Sequence, residues 1–366
     1  MHVGLATGFA HQRGDAYPDR QFIREELHNL VLAEELGLDS VWITEHHFSD
    51  YSMCPDPLML LAHVASRTKR IRLGTQVIVV PWHDPVRLAE QIILLDHVSD
   101  GRALLGFGRG LARAEYEGFR VDQAQAREIY DEMLTLVVPA IETGVIEGGE
   151  IFKLPRRELR PRPLKSFAGR MFTGGSTEGS MQIAAKLGIG RLILMLPQGN
   201  PTTKSDPFAE AWAAVNGPGS KPVPPFVSGM VCVDESAERA MEVGRRHVAH
   251  TMRAAVDHYE MAAEHFGTVK GYESYVRLRV PPDGIDDMVE TYANTVIAGT
   301  PKQVLERLHF LKDYYDPQGF FPQLYFGGMP QDEAVRNMRY FAQTCLPEMK
   351  GWDAPSTIDV LSRVAA

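Results

Sequence analysis

The sequence has few of the features that mark secreted or disulfide-stabilised proteins. Only three cysteines occur among 366 residues, they lie far apart, and none belongs to a CxxC pair. This spacing suggests no disulfide framework and favours a reducing compartment, the cytoplasm. The first residues, MHVGLATGF, contain no cationic segment followed by a long apolar one. The sequence therefore predicts no signal peptide.

Long apolar runs and basic stretches are also missing. No apolar run approaches the length of a membrane span, so we expect no membrane association. The chain has 47 acidic and 38 basic residues, a net charge of -9, and no basic run or stripe. This balance argues against nucleic acid as a partner.

What the sequence does have is an alternation of short apolar runs with amphipathic helical stretches. A G-x-G-x-x-G motif after the first run is absent, which disfavours a doubly wound dinucleotide-binding sheet. Eight runs favour an α/β fold of the closed (β/α)8 TIM-barrel type, and we expect a single domain over residues 1–366. The predicted strands are His2–Thr7, Ser40–Glu45, Arg72–Val80, Ala103–Gly108, Arg170–Gly174, Arg191–Leu196, Phe226–Val233 and Gln323–Gly327.

Helical spacing predicts the connecting helices, and two segments interrupt the pattern. Residues 197–225 are rich in Pro, Gly, Ser and Asn, which predicts a long loop with a short helix near Phe208–Val215. Residues 266–293 have weak periodicity and are either a mobile lid over the barrel or an ordinary surface excursion. The predicted helices are Phe22–Leu36 ending at Gly37, Asp56–Thr68, Pro85–Val98, Gln125–Val138 and Ser180–Leu187.

Function in such a barrel is located at the carboxyl ends of the strands. Glu45, His46 and His47 end the second predicted strand. These residue types serve as general bases, as metal ligands or as hydrogen-bond partners of a heterocycle, and they also occur as rim clusters without chemistry. A metal site needs further ligands from other strand ends, and only His83 falls near one, so we expect no metal.

Two other strand ends favour an anion site. Arg109 follows the glycine-rich end of the fourth strand, and its planar guanidinium suits phosphate. The segment TGGSTEGS, residues 173–180, joins a strand to a helix N-terminus, where free N–H groups and the helix dipole favour phosphate. A surface salt bridge would equally explain Arg109, and ordinary helix capping would explain the loop. Arg127, on a predicted helix, is by itself a solvated charge.

The segments LDSVWITEHHF, RIRLGTQVIVVPWHDPVRLAEQIILLDHVSDGRALLGFGRG and TGGSTEGS, in this order, resemble the bacterial luciferase-like monooxygenases. The resemblance implies a (β/α)8 barrel that binds reduced FMN supplied by a separate flavin reductase. It also implies that oxygen adds to the flavin at C4a and that the peroxyflavin oxidises a small organic substrate. The residues Phe48, Met53, Trp82 and Phe107 suggest an apolar substrate if they line the pocket, and core positions would explain them equally. Family members commonly form homodimers.

The resemblance assigns roles to individual residues. His46 matches the family's catalytic histidine and Glu45 a position near the flavin ring. Gln76 and Val77 match a site where the family often has a non-prolyl cis peptide beneath the isoalloxazine. The positions that hold the FMN phosphate are matched by Arg109, Arg127, Ser176, Thr177 and Ser180, and Gly175 belongs to the same loop.

The sequence departs from the family pattern at one position and leaves the function open between several classes. Gly108 stands where bacterial luciferase has a reactive cysteine, which favours general monooxygenation over light emission. Hydride transfer with deazaflavin F420 uses the same barrel. The sequence is also compatible with a metal-dependent hydrolase built on Glu45, His46 and His47, and with a non-catalytic flavin-binding subunit.

Overall fold

A computed structural model describes residues 1–14, 16–196, 199, 201 and 206–358. Within these ranges the strands are β1 His2–Thr7, β2 Ser40–Ile43, β3 Arg72–Thr75, β4 Ile78–Val79, β5 Ala103–Gly108, β6 Val145–Gly148, β7 Leu154–Glu158, β8 Met171–Thr173, β9 Gly190–Ile193, β10 Phe226–Val227, β11 Val231–Val233, β12 Ile297–Gly299 and β13 Gly319–Phe320. The helices are α1 Asp19–Glu35, α2 Pro57–Arg67, α3 Pro85–Val98, α4 Arg113–Phe119, α5 Ala126–Thr143, α6 Glu178–Lys186, α7 Pro207–Asn216, α8 Ala237–His258, α9 Ile285–Ala293, α10 Pro301–Tyr315, α11 Gln331–Thr344 and α12 Leu346–Gly351.

Eight strand positions close into a parallel barrel. Their order is β1, β2, β3 continued by β4, β5, β8, β9, β10 and β13, which pairs with β1 again. β3 bonds to β2 on one side and to β5 on the other, so the ring closes and leaves no open edge. The predicted (β/α)8 barrel is confirmed.

Local sequence explains where several outer helices start and stop. Asp56, Asp84 and Asp206 each precede a proline at the first helical position, and each side chain accepts hydrogen bonds from first-turn N–H groups. Gly37 follows α1 with φ +87°, as its position after the predicted helix requires. No helix in the described ranges is both long enough and apolar enough to cross a bilayer.

Aromatic side chains fill the barrel interior. Trp42 on β2 lies with its ring centroid 4.9 Å from that of Phe321, 5.1 Å from Phe226 and 6.0 Å from Phe172. A Cβ at Gly74, on the neighbouring strand, would come within 2.4 Å of the Trp42 ring. Gly74 therefore leaves space for the indole that fills the barrel.

Three predicted strands need correction. The predicted strand Arg72–Val80 is interrupted between β3 and β4. The predicted strand Phe226–Val233 is two strands, because β11 leaves the barrel and pairs with β12 in a separate two-stranded sheet. Gln323 forms only isolated bridges, and the chain turns at Gly327 and Gly328, both with positive φ, so Gln323–Gly327 is not a strand. The residues between are buried, and their apolar character resembles that of a strand.

The two insertion segments differ in how far they are described. Residues 197–198, 200 and 202–205 of the predicted long loop lie outside the described residues, whereas α7 matches the predicted short helix. Residues 266–293 contain short 3-10 turns followed by α9. The antiparallel hairpin β6–β7 was not predicted, because its strands are largely exposed and lack an apolar alternation.

A buried ion pair holds α3 to the start of β8. The Arg170 guanidinium donates to both carboxylate oxygens of Asp96 at 2.7 and 3.2 Å, and neither side chain is exposed. Arg170 also donates to the carbonyl oxygens of Gly101 and Ala103, the connection into β5. In such a buried pair, the attraction and the hydrogen bonds offset the cost of removing both charges from water only while every charge and lone pair has its partner. The pair therefore holds the base of the barrel in one arrangement.

Candidate functional site

Glu45 lies just after β2 and is 2% exposed. One carboxylate oxygen accepts from the backbone N–H of Val79 at 2.8 Å, and the other from Nε2 of His83 at 2.9 Å. Burial raises the pKa of Glu45, but hydrogen bonds from His47 and His83 outweigh it and lower the pKa. Glu45 is thus an ionised anchor that ties the end of β2 to the strand beside it.

The peptide bond between Gln76 and Val77 is cis, in the gap between β3 and β4 where the resemblance places it. The Gln76 amide donates to the carbonyl oxygen of Thr7, which draws it toward β1. A Cβ at Gly108 would come within 2.2 Å of the Val77 side chain, and one at Gly174 within 3.3 Å. The two glycines leave space for the Val77 side chain beside residues 173–180, the loop that the sequence predicts to bind an anion and that is called the anion-type loop below.

His46 lies at the same mouth and is held by a carboxylate that sequence reasoning did not identify. Its Nδ1 is 3.1 Å from Oε1 of Glu115, on α4. Nε2 of His258, the last residue of α8, is 3.4 Å from the same oxygen, which also accepts the backbone N–H of His47 at 2.8 Å. One buried oxygen therefore collects groups from the loop after β2 and from α8.

The protonation of this cluster follows from its contacts. Burial raises the pKa of Glu115, but hydrogen bonds from His258 and His46 outweigh it and lower the pKa to about 2. Because an ionised carboxylate only accepts, Nδ1 of His46 carries a proton and donates it to Glu115. The other ring nitrogen of His46, Nε2, lies 3.3 Å from the Tyr259 hydroxyl, which is its hydrogen-bond partner. Burial raises the pKa of Tyr259 well above its usual value, so the phenol stays neutral.

The predicted phosphate residues come together at the N-terminus of α6. Arg127, on α5, donates from Nη1 to Oγ of Ser180 at 2.9 Å, and Thr177 lies 2.9 Å from the same hydroxyl. Gly175 donates its N–H back to Thr173 at 3.0 Å. Among the described residues, no hydrogen-bond acceptor is paired with the backbone N–H groups of residues 176–180.

Arg109 approaches this loop but is engaged by residues 266–293. Its Nη2 donates to the Gly271 carbonyl oxygen at 2.7 Å, and its guanidinium lies 4.0 Å from the centroid of the Tyr272 ring. A Cβ at Gly271 would lie 3.1 Å from Arg109 and 3.8 Å from Arg127. The segment therefore passes between the two arginines, and the Tyr272 hydroxyl bonds to that of Tyr116 at 2.6 Å.

Comparisons with known proteins show to which family the chain belongs. The family model described as luciferase-like monooxygenase matches residues 1–316. The chain belongs to that family. Limonene 1,2-monooxygenase of Rhodococcus erythropolis is 26% identical over 337 residues, which cover 90% of this chain and 82% of that protein. An uncharacterised protein of Sinorhizobium fredii is 31% identical over 194 residues, 53% of this chain and 55% of that protein.

Other relatives are matched over only part of their length or at low identity. The chain spans 66% of the alkanal monooxygenase alpha chain of the Kryptophanaron alfredi symbiont, at 25% identity over 63% of this chain. The crystal structure of the monooxygenase RslO1 from Streptomyces bottropensis has a TM-score of 0.71, 25% identity and coverage of 95% and 99% of the two chains. A Baeyer-Villiger monooxygenase in complex with FMN and an F420-dependent secondary alcohol dehydrogenase, at 19% and 15% identity, share the fold.

The residues to which the resemblance assigns roles thus form two groups. One surrounds His46, the other lies at the N-terminus of α6, and the cis peptide Gln76–Val77 belongs to the same barrel mouth. Sequence reasoning missed Glu115, His258 and Tyr259. Glu115 follows the Arg109 motif closely, where an acidic residue on the next helix was a usable signal. His258 and Tyr259 are more than two hundred residues from His46 in sequence, and no spacing rule connects them.

His46, Glu115 and His258 also meet the geometric condition for a metal site, because one ligand atom from each lies within 4.8 Å of the others. Two imidazoles and a carboxylate are a donor set that zinc accepts. Nδ1 of His46 and the His47 N–H already donate to Oε1 of Glu115, and His258 lies beside it, which is the arrangement of a hydrogen-bonded cluster. Elemental analysis of the purified protein distinguishes a metal site from such a cluster, since stoichiometric zinc or manganese would support a metal-dependent hydrolase.

We predict that Glu115→Gln lowers the free energy of unfolding by about 3 kcal/mol at neutral pH. The folded pKa of about 2 lies below the unfolded value of about 4.3, so the contribution is complete above the latter and is lost as the pH falls through the former. Urea unfolding at several pH values measures it. Glu117→Gln, on the same helix but exposed, should cost less than about 1 kcal/mol. A loss in Glu115→Gln that does not change with pH would contradict the assignment.

Proposed function

We propose that this enzyme is an FMN-dependent monooxygenase that uses reduced FMN and oxygen to oxidise a small, apolar organic substrate. A separate flavin reductase supplies the reduced FMN. The observation that carries the proposal is the row of N–H groups at residues 176–180, beside Arg127, for which the described residues offer no acceptor. Membership of the luciferase-like family and the likeness to limonene 1,2-monooxygenase support it.

The residues at α6 fit the FMN phosphate. At this helix N-terminus five consecutive N–H groups have no acceptor among the described residues, and such groups stabilise a dianion through hydrogen bonds and the helix dipole. Arg127 adds a cation whose orientation is fixed by a bidentate contact with Asp131 at 2.9 and 2.5 Å. Glycine at 179 keeps the approach open, since a Cβ there would lie 3.1 Å from the guanidinium carbon.

Bound reduced flavin supplies the reaction with oxygen, and the protein supplies position and proton control. His46 exchanges a proton at Nε2, while Glu115 holds Nδ1 and fixes the ring. Glu45 acts as a positioning residue, because its bonds to Val79 and His83 hold the backbone next to the cis peptide. General acid–base groups of this kind contribute about 10²- to 10⁴-fold to a rate.

Residues 266–293 act as a lid within a single barrel domain. Arg109 now bonds to Gly271, so binding of a phosphate by Arg109 requires this contact to break. A closed lid excludes water from the flavin, which suppresses release of hydrogen peroxide. Location in the cytoplasm, suggested by three free buried cysteines, stays a prediction.

The direct test mixes the protein anaerobically with reduced FMN, adds oxygen, and follows absorbance by stopped flow. We expect a flavin transient that outlives the reaction of free reduced FMN.

In parallel, His46→Ala should retain reduced FMN but slow turnover about a hundredfold or more. Tyr272→Ala, in the lid, should release hydrogen peroxide faster. No transient combined with tight binding of F420 would move the enzyme to hydride transfer, and full activity of His46→Ala would refute its role.

Arg127→Ala should weaken binding of reduced FMN about tenfold or more, because a hydrogen bond to a charged group is worth ~1.5–3 kcal/mol. Riboflavin, which lacks the phosphate, should bind the wild type and the variant equally. The control Arg156→Ala removes an exposed arginine from β7. Unchanged FMN affinity in Arg127→Ala would remove the residue from the phosphate site.

The enzyme should form a homodimer through α2 and α3. Met59, Leu94 and Val98 on these helices are 67%, 52% and 50% exposed, an unusual density of apolar surface for neighbouring helices. Light scattering of the wild type should give the dimer mass, and Leu94→Glu should give the monomer. Val215→Glu, at an exposed apolar site on α7, is the control. A wild type that stays monomeric would reject the proposal.

A further inference from the structure

A cavity of about 90 Å³ at the barrel mouth is lined by His46 and by the buried side chain of Glu26. Glu26 lies on α1 and is 4% exposed. Neither the family resemblance nor the proposed mechanism uses it. Glu26 is thus a buried carboxyl group in the wall of the cavity that also contains His46, the proposed proton-exchanging histidine. Its position makes it a candidate for contact with the substrate.

The hydrogen bonds of Glu26 define which oxygen carries a proton. Oε2 accepts from the Thr7 hydroxyl at 2.8 Å and from the Tyr325 hydroxyl at 3.2 Å. Thr7 accepts from the Phe9 N–H, so its own proton is directed at Glu26. Because Oε2 accepts two hydroxyl protons, it is the oxygen without a proton when the carboxyl group is neutral, and the proton then lies on Oε1. Among the described residues no donor reaches Oε1, which leaves Oε1 available to the cavity.

The neighbouring charges do not stabilise an ionised Glu26 by direct contact. Arg13 also lines the cavity, but it donates to Glu25 and to the Met329 carbonyl oxygen, both at 2.5 Å. Its Nε is buried without a partner among the described residues. The titratable groups around Glu26 are therefore the Arg13–Glu25 pair, Tyr325, and His46 and Tyr51 across the cavity.

Burial raises the pKa of Glu26 to about 7, against the hydrogen bonds from Thr7 and Tyr325 and the charge of Arg13, which lower it. At neutral pH the side chain thus lies near its midpoint, and below it the neutral form dominates. Loss of the Oε1 proton as the pH rises through about 7 converts a hydrogen-bond donor into an acceptor.

We propose that neutral Glu26 donates its Oε1–H to an oxygen atom of the substrate and so selects neutral substrates that carry a carbonyl or hydroxyl group beside His46. This inference rests on the proposed function only in taking the cavity as the substrate site. Ionised acids are rejected because an ionised Glu26 repels them and the charge of Arg13 is already paired with Glu25. The unpartnered Nε of Arg13 is a second donor in the same wall, which matches an acceptor oxygen rather than a donor group.

The test compares binding of cyclohexanone with that of cyclohexene, a ring of similar size without oxygen, by ligand-observed NMR. Wild type should bind cyclohexanone about fivefold or more tightly at pH about 6 than at about 8, with no such change for cyclohexene. Glu26→Gln keeps an N–H donor, so its binding of cyclohexanone should persist and lose the pH dependence. Glu26→Leu should bind cyclohexanone about fivefold or more weakly and keep cyclohexene.

Two further measurements keep the result unambiguous. Glu35→Gln, an exposed glutamate on the same helix, should match the wild type throughout. Infrared difference spectra should contain a protonated-carboxyl band that is lost in Glu26→Gln and shifts when cyclohexanone binds, which reports on Glu26 even if Glu26→Leu fails to fold.

Titration of reduced FMN separates this inference from the proposed function. The Glu26 variants should bind reduced FMN like the wild type, so a failure of every variant and of the wild type to bind it would overturn the monooxygenase proposal alone. Equal binding of cyclohexanone by the wild type and Glu26→Leu, pH dependence that persists in Glu26→Gln, or no binding of cyclohexanone by the wild type would overturn the role of Glu26.

Discussion

The arrangement of the active-site candidates depends on one buried oxygen atom, Oε1 of Glu115. It accepts from the His47 backbone and from His46, and it lies beside His258. Three parts of the chain therefore meet at a single negative charge, namely helix α4, helix α8 and the loop that follows β2. A carboxylate in that position is stable only while those donors stay in place, since a buried charge without partners is costly. The same contact that stabilises the charge therefore orients the His46 ring.

Glu45 and Glu26, also at the barrel mouth, show how the donors around a carboxyl group set its charge. Glu45 stays ionised because a backbone N–H and two imidazoles donate to it, and it serves as an anchor. Among the described residues, Glu26 accepts two hydroxyl protons and contacts no cation, and burial raises its pKa to about 7. Glu45 and Glu115 are thus ionised, whereas the pKa of Glu26 is raised, because the three carboxyl groups differ in their donors.

The way in which the chain enters α6 determines the properties of the anion-type loop, residues 173–180. Its free N–H groups exist because the chain enters α6 through glycines and small hydroxyl residues, without a side-chain cap. Arg127 would be an ordinary surface charge on its own helix, yet the barrel brings α5 beside α6 and turns it toward that loop. Residues 266–293 compete for the same region through Gly271, which couples the position of the segment to the availability of Arg109.

The sequence by itself determined the barrel, the order of its strands and the two rim motifs, because alternating apolar runs, Asp-Pro helix starts and strand-end glycines are local signals. Local signals failed where burial was mistaken for a strand, at Gln323–Gly327, and where an exposed hairpin had no apolar alternation. Only the tertiary structure decided that Glu115, His258 and Tyr259 surround His46, and that Glu26 lines the cavity beside it. Glu115, Glu26 and the pair His258–Tyr259 lie on three separate helices or helix ends, and only the tertiary structure brings them to the neighbourhood of His46.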